Sequence, residues 1–446
     1  MGPRAAAPRA TAAASPARAS AVVRSTTPDG GPTASAGPRT DRGAASTTEG
    51  LAHVATVSFL ASRAIPAGGF LIALAGGVAL ARAGQQAGSR RGYGASIAAV
   101  LETTATMGPA RFNVPITQAL TAPLLGRLEA RGTRAPAQVA VCALIRLLHN
   151  AAVSAFFVVV IAGGVDDYAA AFRAFVGWIA PLPPGPGVAL GALGVGLLAW
   201  SAFASIVQVA VYRRGLADWS AAGDETASEA VEGQHDSPPA ATRRFDPRAV
   251  TGATALALGV LLSGTSPIPL ALVAGWLAAG FLIARVDLEP LAIGMTLAVV
   301  LGLGALAVGV LGGVGLDAGL RRGLRAGLLV VAATWLRAAA GDAGLREVFR
   351  RALGRLGRLP AVPEAIEVLD GLGSQRRVVR SAQVLGERLR AVPRRPGALL
   401  AATLRWVAGE SRRRAVLHAP AFVLRARPRD GLLVASAALP ALGLLF

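Results

Sequence analysis

Apolar and polar positions follow two rhythms along this chain. Up to about residue 340, long apolar runs alternate with short arginine-rich or acidic turns. The runs Ala64–Ala83, Ala135–Gly164, Gly187–Tyr212, Val250–Thr265, Ile268–Ala284, Leu291–Leu311 and Leu324–Leu336 read as membrane spans, since about 20 apolar residues cross the hydrocarbon core. From Gly341 to Asp430 the period becomes that of amphipathic helices. Leu345, Val348, Phe349, Ala352, Leu353 and Leu356 share one helical face, and Arg346, Arg350, Arg351, Arg355 and Arg358 fill the other. A second helix opens at Pro363-Glu364 with Ile366, Val368, Leu369 and Leu372 inward, and a third carries Val378, Ala382, Leu385 and Leu389 on one side. Beyond the Pro393–Pro396 break a fourth carries Leu400, Leu404 and Val407. The expected fold class is all-α: a polytopic helical membrane protein with cytoplasmic amphipathic coupling helices.

These patterns divide the chain. Residues 1–50 have the Ala/Pro/Ser/Thr/Gly/Arg composition of a disordered segment, with no apolar core of signal-peptide type. Residues 51–214 form an N-terminal transmembrane module, 215–247 a polar linker, 248–339 a second transmembrane module and 340–430 the basic helices. Residues 431–446 are a last apolar segment, a short span or an inserted tail. One stretch departs from simple spans: Gly94–Leu125 carries Glu102 and three threonines, then Pro109, Pro115 and Pro123. It is expected to be a kinked or re-entrant element, or a pair of short interfacial helices.

Composition supports the membrane reading: mean hydropathy is +0.52 and only 16% of residues are charged, against about 25% in soluble domains. The formal charge is +20, and all 45 basic residues are arginine. The absence of lysine excludes a Walker A lysine, a kinase lysine and a Schiff base. The single cysteine, Cys142, and four scattered histidines make no disulfide framework or metal motif. No enzyme, no bound cofactor or metal and no nucleic-acid partner is expected. The positive-inside bias places Arg82, Arg90, Arg91, Arg127, Arg131, Arg134, Arg213 and Arg214 in the cytoplasm, with Asp166 and Asp167 outside. Arg321, Arg322 and Arg325 then fall at an outer end, against that bias.

Two sets of residues suggest function. Arg146, His149 and Asn150 stand at helical spacing inside an apolar run, and a charge there costs about 2.5–3.5 kcal/mol unless it faces protein or water. Glu102 is the expected partner of Arg146, and together these four mark a substrate path or a structural clamp. The second set is the basic stretch itself, 19 Arg against 8 Asp and Glu over residues 341–430.

From Asp246 onward the chain resembles the transmembrane T component of energy-coupling factor transporters. The likeness rests on the Asp246-Pro247-Arg248 opening, the Leu261-Leu262-Ser263 turn, Gly323-Leu324-Arg325 opening a further span, and long basic helices before a final apolar segment. It covers roughly 200 residues. It implies a scaffold in a bacterial plasma membrane that joins two cytoplasmic ATPases, which hold the ATP, to a substrate-binding membrane subunit. Docking residues by this analogy are Arg376, Arg377, Arg380, Arg388 and Arg412, with Arg131 of the Ala130-Arg131-Gly132 match to the family's docking signature. No Ala-Arg-Gly occurs between Gly341 and Asp430. The alternatives are a self-contained permease using Arg146 and Glu102, with the basic stretch lying on anionic lipid, and a membrane scaffold without transport.

Overall fold

A computed structural model describes residues 39–63, 68–109, 116–177, 179, 181, 185–221, 245–284, 288–411, 424 and 426–445. Every regular element among them is helical. The first half holds α1 (Arg39–Ala61), α2 (Gly69–Met107), α3 (Ile116–Ala130) and α4 (Ala135–Phe156), which ends in a π-helical turn, Phe157–Ile161. It continues with α5 (Val165–Val176) and α6 (Pro186–Ala221). The second half holds α7 (Pro247–Ser263), α8 (Pro267–Ala284), α9 (Leu288–Leu311) and α10 (Leu316–Ala340). The amphipathic helices are α11 (Asp342–Arg355), α12 (Val362–Gly371), α13 (Gln375–Arg390) and α14 (Pro396–Ser411), and α15 (Pro428–Leu442) closes the chain. The described residues from Thr40 onward form one compact unit.

Among the described residues, five helices are long and apolar enough to cross a membrane: α4 with its π turn, α6, α8, α9 and α10. Only 17% of the apolar window is buried in α4, α6 and α9, against 56% in α10. Helix α10 is therefore the inner one, and Leu148, Leu198, Phe203, Leu282, Val300 and Leu303 stand exposed on the others as a lipid-facing surface. This is the architecture of a multi-pass membrane protein. In the second half α7, α8, α10 and α15 pack around Trp335, which is fully buried against the rings of Phe245, Trp276 and Phe281. Asp246 caps α7 by accepting from the Arg248 backbone N–H, with Pro247 at the first helical position.

The Ala64–Ala83 run does not stand as a separate span. The first part of α2 pairs with α1 as a helical hairpin, Gly76 lying against Ala55, Ser58 and Phe59. Residues Gly50–Phe59 of α1 are buried on every side, the position of a core helix. Helix α1 starts inside the segment expected to be disordered, so that boundary moves from residue 50 to Arg39, and residues 1–38 lie outside the described ones. The linker boundary moves too: α6 continues to Ala221, and Leu216 and Trp219 are buried in the first-half core. Residues 222–244 lie outside the described ones.

The stretch Gly94–Leu125 is resolved into the second arm of α2 and the start of α3. Gly88, at φ 82°, breaks α2 into two arms. The arms return on each other so closely that a Cβ on Gly92 would stand 2.7 Å from the Gly84 Cα. Helix α3 lies against them with Pro123 beside both glycines, and a Cβ on Gly126 would overlap the Ala81 carbonyl. Two of the three outlying arginines of α10 find acids, while Arg325 is buried with its Nε unpartnered. Arg322 donates to Asp167 at 2.7 Å and to the Ala162 carbonyl at 2.8 Å, and Arg321 pairs with Asp317. At the opposite end of α10, Arg337 Nε donates to the Thr106 carbonyl of α2 at 2.8 Å. The two halves are thus tied near both ends of α10.

Gly126→Ala forces α3 off α2 and lowers stability by about 1–3 kcal/mol; thermal unfolding in detergent measures the loss. A Gly187→Ala control, at a position with open space around it, leaves the transition in place.

Candidate functional site

Helix α13 is built on one rule, that apolar residues recur where the helix meets the core. Val378, Ala382, Leu385 and Leu389 pack with Leu399 against Val57 and Ala61 of α1 and Ile72 of α2. The remaining arc faces outward. Arg376, Arg380, Arg388 and Arg390 are exposed and Arg377 is half-buried at its edge. None of these five makes an ion pair or hydrogen bond with any described residue. Arg394 and Arg395 extend the same basic surface.

The arginines of α11 are used differently. Arg350 and Arg351 both bond Glu347, at 2.8 and 2.7 Å. Arg346 is buried and donates to the Leu369 and Gly373 carbonyls, capping the end of α12. The basic stretch therefore separates into two kinds of helix. In α11, Arg346, Arg350 and Arg351 are tied to acids or carbonyls and only Arg355 has no partner among the described residues, whereas the arginines of α13 have none. Of the other expected docking residues, Arg131 is exposed in the α3–α4 turn, and Arg412 lies outside the described residues.

The four residues of the expected substrate path form two clusters. Arg146 does not meet Glu102. It is buried between α4 and α6, where its Nη2 donates to Gln208 Oε1; Gln208 Nε2 donates in turn to Thr121 of α3 at 2.7 Å. Cys142 donates to the same Gln208 oxygen at 3.3 Å, and Asn150 donates to Ser201 at 3.2 Å. Cys142, Arg146 and Asn150 repeat every fourth residue, so they form a polar seam against Ser201 and Gln208. His149 stands half-exposed beside that seam. A span that needs a neutral acceptor for a guanidinium uses Gln208, and a glutamine within the apolar run of α6 was the available sequence signal.

Glu102 instead pairs with Arg346, whose Nε lies 3.4 Å from Oε2. It is fully buried, and both its oxygens lack hydrogen-bond partners. Helix α2 is not among the five candidate spans. Burial pushes the Glu102 carboxyl up to about 7, against the pull of Arg346. His53 of α1 is also buried, with Nδ1 unpartnered. Burial, helped by Arg377, pushes its imidazole down to about 4.

No protein-family model, curated protein or solved structure matches this chain.

Two predictions follow from the buried groups. Gln208→Leu strands the Arg146 guanidinium and lowers stability by about 2–3 kcal/mol. Adding Arg146→Leu recovers part of that loss, as a double-mutant cycle of thermal transitions reads directly. His53 stays neutral in the folded chain down to about pH 4 but ionises near pH 6.5 when unfolded. Its contribution is intact above about pH 6.5 and disappears as pH falls to about 4, a loss of about 3 kcal/mol. His53→Gln removes that acid-sensitive step from a pH series of unfolding curves.

Proposed function

We propose that this chain is the membrane-embedded coupling component of a transporter driven by separate cytoplasmic ATPases, which dock on α13. The carrying observation is the outward arc of Arg376, Arg377, Arg380, Arg388 and Arg390, cations with no partner among the described residues. An amphipathic helix that still had to bury its apolar face would call for lipid or its own core. Helix α13 has met that need against α1 and α2, and arginine dominates what it presents outward, with Gln383, Val384 and Glu387 among the exposed positions. Guanidinium groups form bidentate, charge-assisted bonds with carboxylates, so an acidic groove on a protein partner fits this arc. The resemblance to the transporter T component supports the same role, with ATP held by the partner subunits and a substrate-binding membrane subunit completing the assembly. The Arg146–Gln208 seam is bonded across α3, α4 and α6, which favours a clamp there over a permease pathway.

Affinity purification of the chain from its native membrane in mild detergent, followed by mass spectrometry, tests the reading. A P-loop ATPase pair is expected with the wild-type chain. It is expected to be lost when Arg376→Glu, Arg380→Glu, Arg388→Glu and Arg390→Glu are combined, while the thermal transition stays in place because these side chains are exposed. Recovery of the wild-type chain without an ATPase, or equal recovery by the reversed variant, overturns the proposal.

A further inference from the structure

Glu102 lies where α2 meets the amphipathic layer. Helix α11 presents Arg346 and Asp342 to it, and α13 presents Gln375 from its first turn. Helix α12 contributes the terminal carbonyls that occupy both Nη groups of Arg346. Arg337 of α10 bonds the Thr106 carbonyl one turn further along α2 and reaches Asp342 at 3.9 Å. Within this setting four buried polar atoms on two helices have no hydrogen-bond partner: both Glu102 oxygens, Thr106 Oγ1 and Gln375 Nε2.

An ionised carboxylate removed from water needs donors as well as a counter-charge. Here the counter-charge is a guanidinium with both terminal nitrogens committed to backbone carbonyls, its Nε 3.4 Å from the carboxylate, and the Gln375 amide beside it makes no well-formed hydrogen bond. A protonated carboxyl removes the buried charge and needs only one acceptor, and the unpartnered Thr106 hydroxyl stands one turn along the same helix. We infer that Glu102 is a proton-binding site whose occupancy sets how firmly α11–α13 hold to α2.

The direction follows from linkage. Burial holds the carboxyl up at about 7, with Arg346 pulling it down, Asp342 pushing it further up and the Gln375 amide pulling it down a little. Lifted away from α11 and α13, Glu102 meets water and titrates near about 4.3. The docked layer therefore binds the proton more tightly than the released one. Docking is strongest below about pH 4.5 and weakens as pH rises through about 7, by on the order of 100-fold over the whole range. His53 faces the same layer beside Arg377, but with its imidazole held to about 4 it stays neutral throughout the upper part of this window.

Hydrogen–deuterium exchange of the full chain in detergent, without any partner, tests this apart from ATPase docking. After division by the intrinsic exchange rate, wild-type amides in α11–α13 are expected to lose about tenfold in protection between pH 6 and pH 8. Glu102→Gln fixes the neutral state and is expected to show high, flat protection. Asp342→Asn removes a neighbouring negative charge and is expected to move the wild-type midpoint to lower pH, which decides the matter if Glu102→Gln fails to fold. Flat wild-type protection, the same slope in Glu102→Gln, or an unmoved midpoint in Asp342→Asn overturns the inference.

Discussion

The contact on which most of this structure depends is the meeting of backbones at Gly84, Gly92 and Gly126. With no Cβ at these positions, the two arms of α2 and the middle of α3 approach to main-chain distance. One arm then carries α1 and the lower part of α6, where Tyr212 reaches Gly77. The other carries α12, through the contact of Gly94 with Glu364 and Ala365, and ends at Arg337 of α10. Side chains at the three glycines would push α3 and the two arms of α2 apart.

Arginine, the chain's one basic residue type, serves three separate ends because its geometry allows it. Arg346 spreads its donors over two carbonyls and one carboxylate, Arg322 over one of each, and Arg146 is held by a neutral amide. Arg350 and Arg351 share a single glutamate. The arginines of α13 do none of this. Net charge alone would rank all of them together; their neighbours separate the internal fasteners from a surface open to another molecule.

Five of the seven runs read as spans were legible because long apolar runs have few other uses, whereas Ala64–Ala83 falls mostly within α2 and Val250–Thr265 falls on the 17-residue α7, too short to be a candidate span. The faces of α11 and α13 were legible from their period. Helix α1 was hidden because Ala, Ser and Thr dominate it, and their small size suits a helix packed on every side while signalling little hydropathy. The partner of Glu102 was hidden for another reason. Arg146 and Arg346 are the same residue type in helical surroundings, and periodicity carries no information about which distant helix arrives at a given face. Arg321 and Arg322 looked misplaced only while counted without Asp317, one turn earlier on α10, and Asp167, which the fold brings from α5.

Between the last residue of α10 and the first of α11 stands one glycine, Gly341, at φ 66°. A left-handed glycine turns the chain sharply while leaving it no length to stretch. The joint therefore has direction but no slack. Whatever displaces α11 must move the foot of α10 in the same stroke, as a crank moves its shaft, and a few residues of loose tether at this point would disengage one from the other like a slipping clutch.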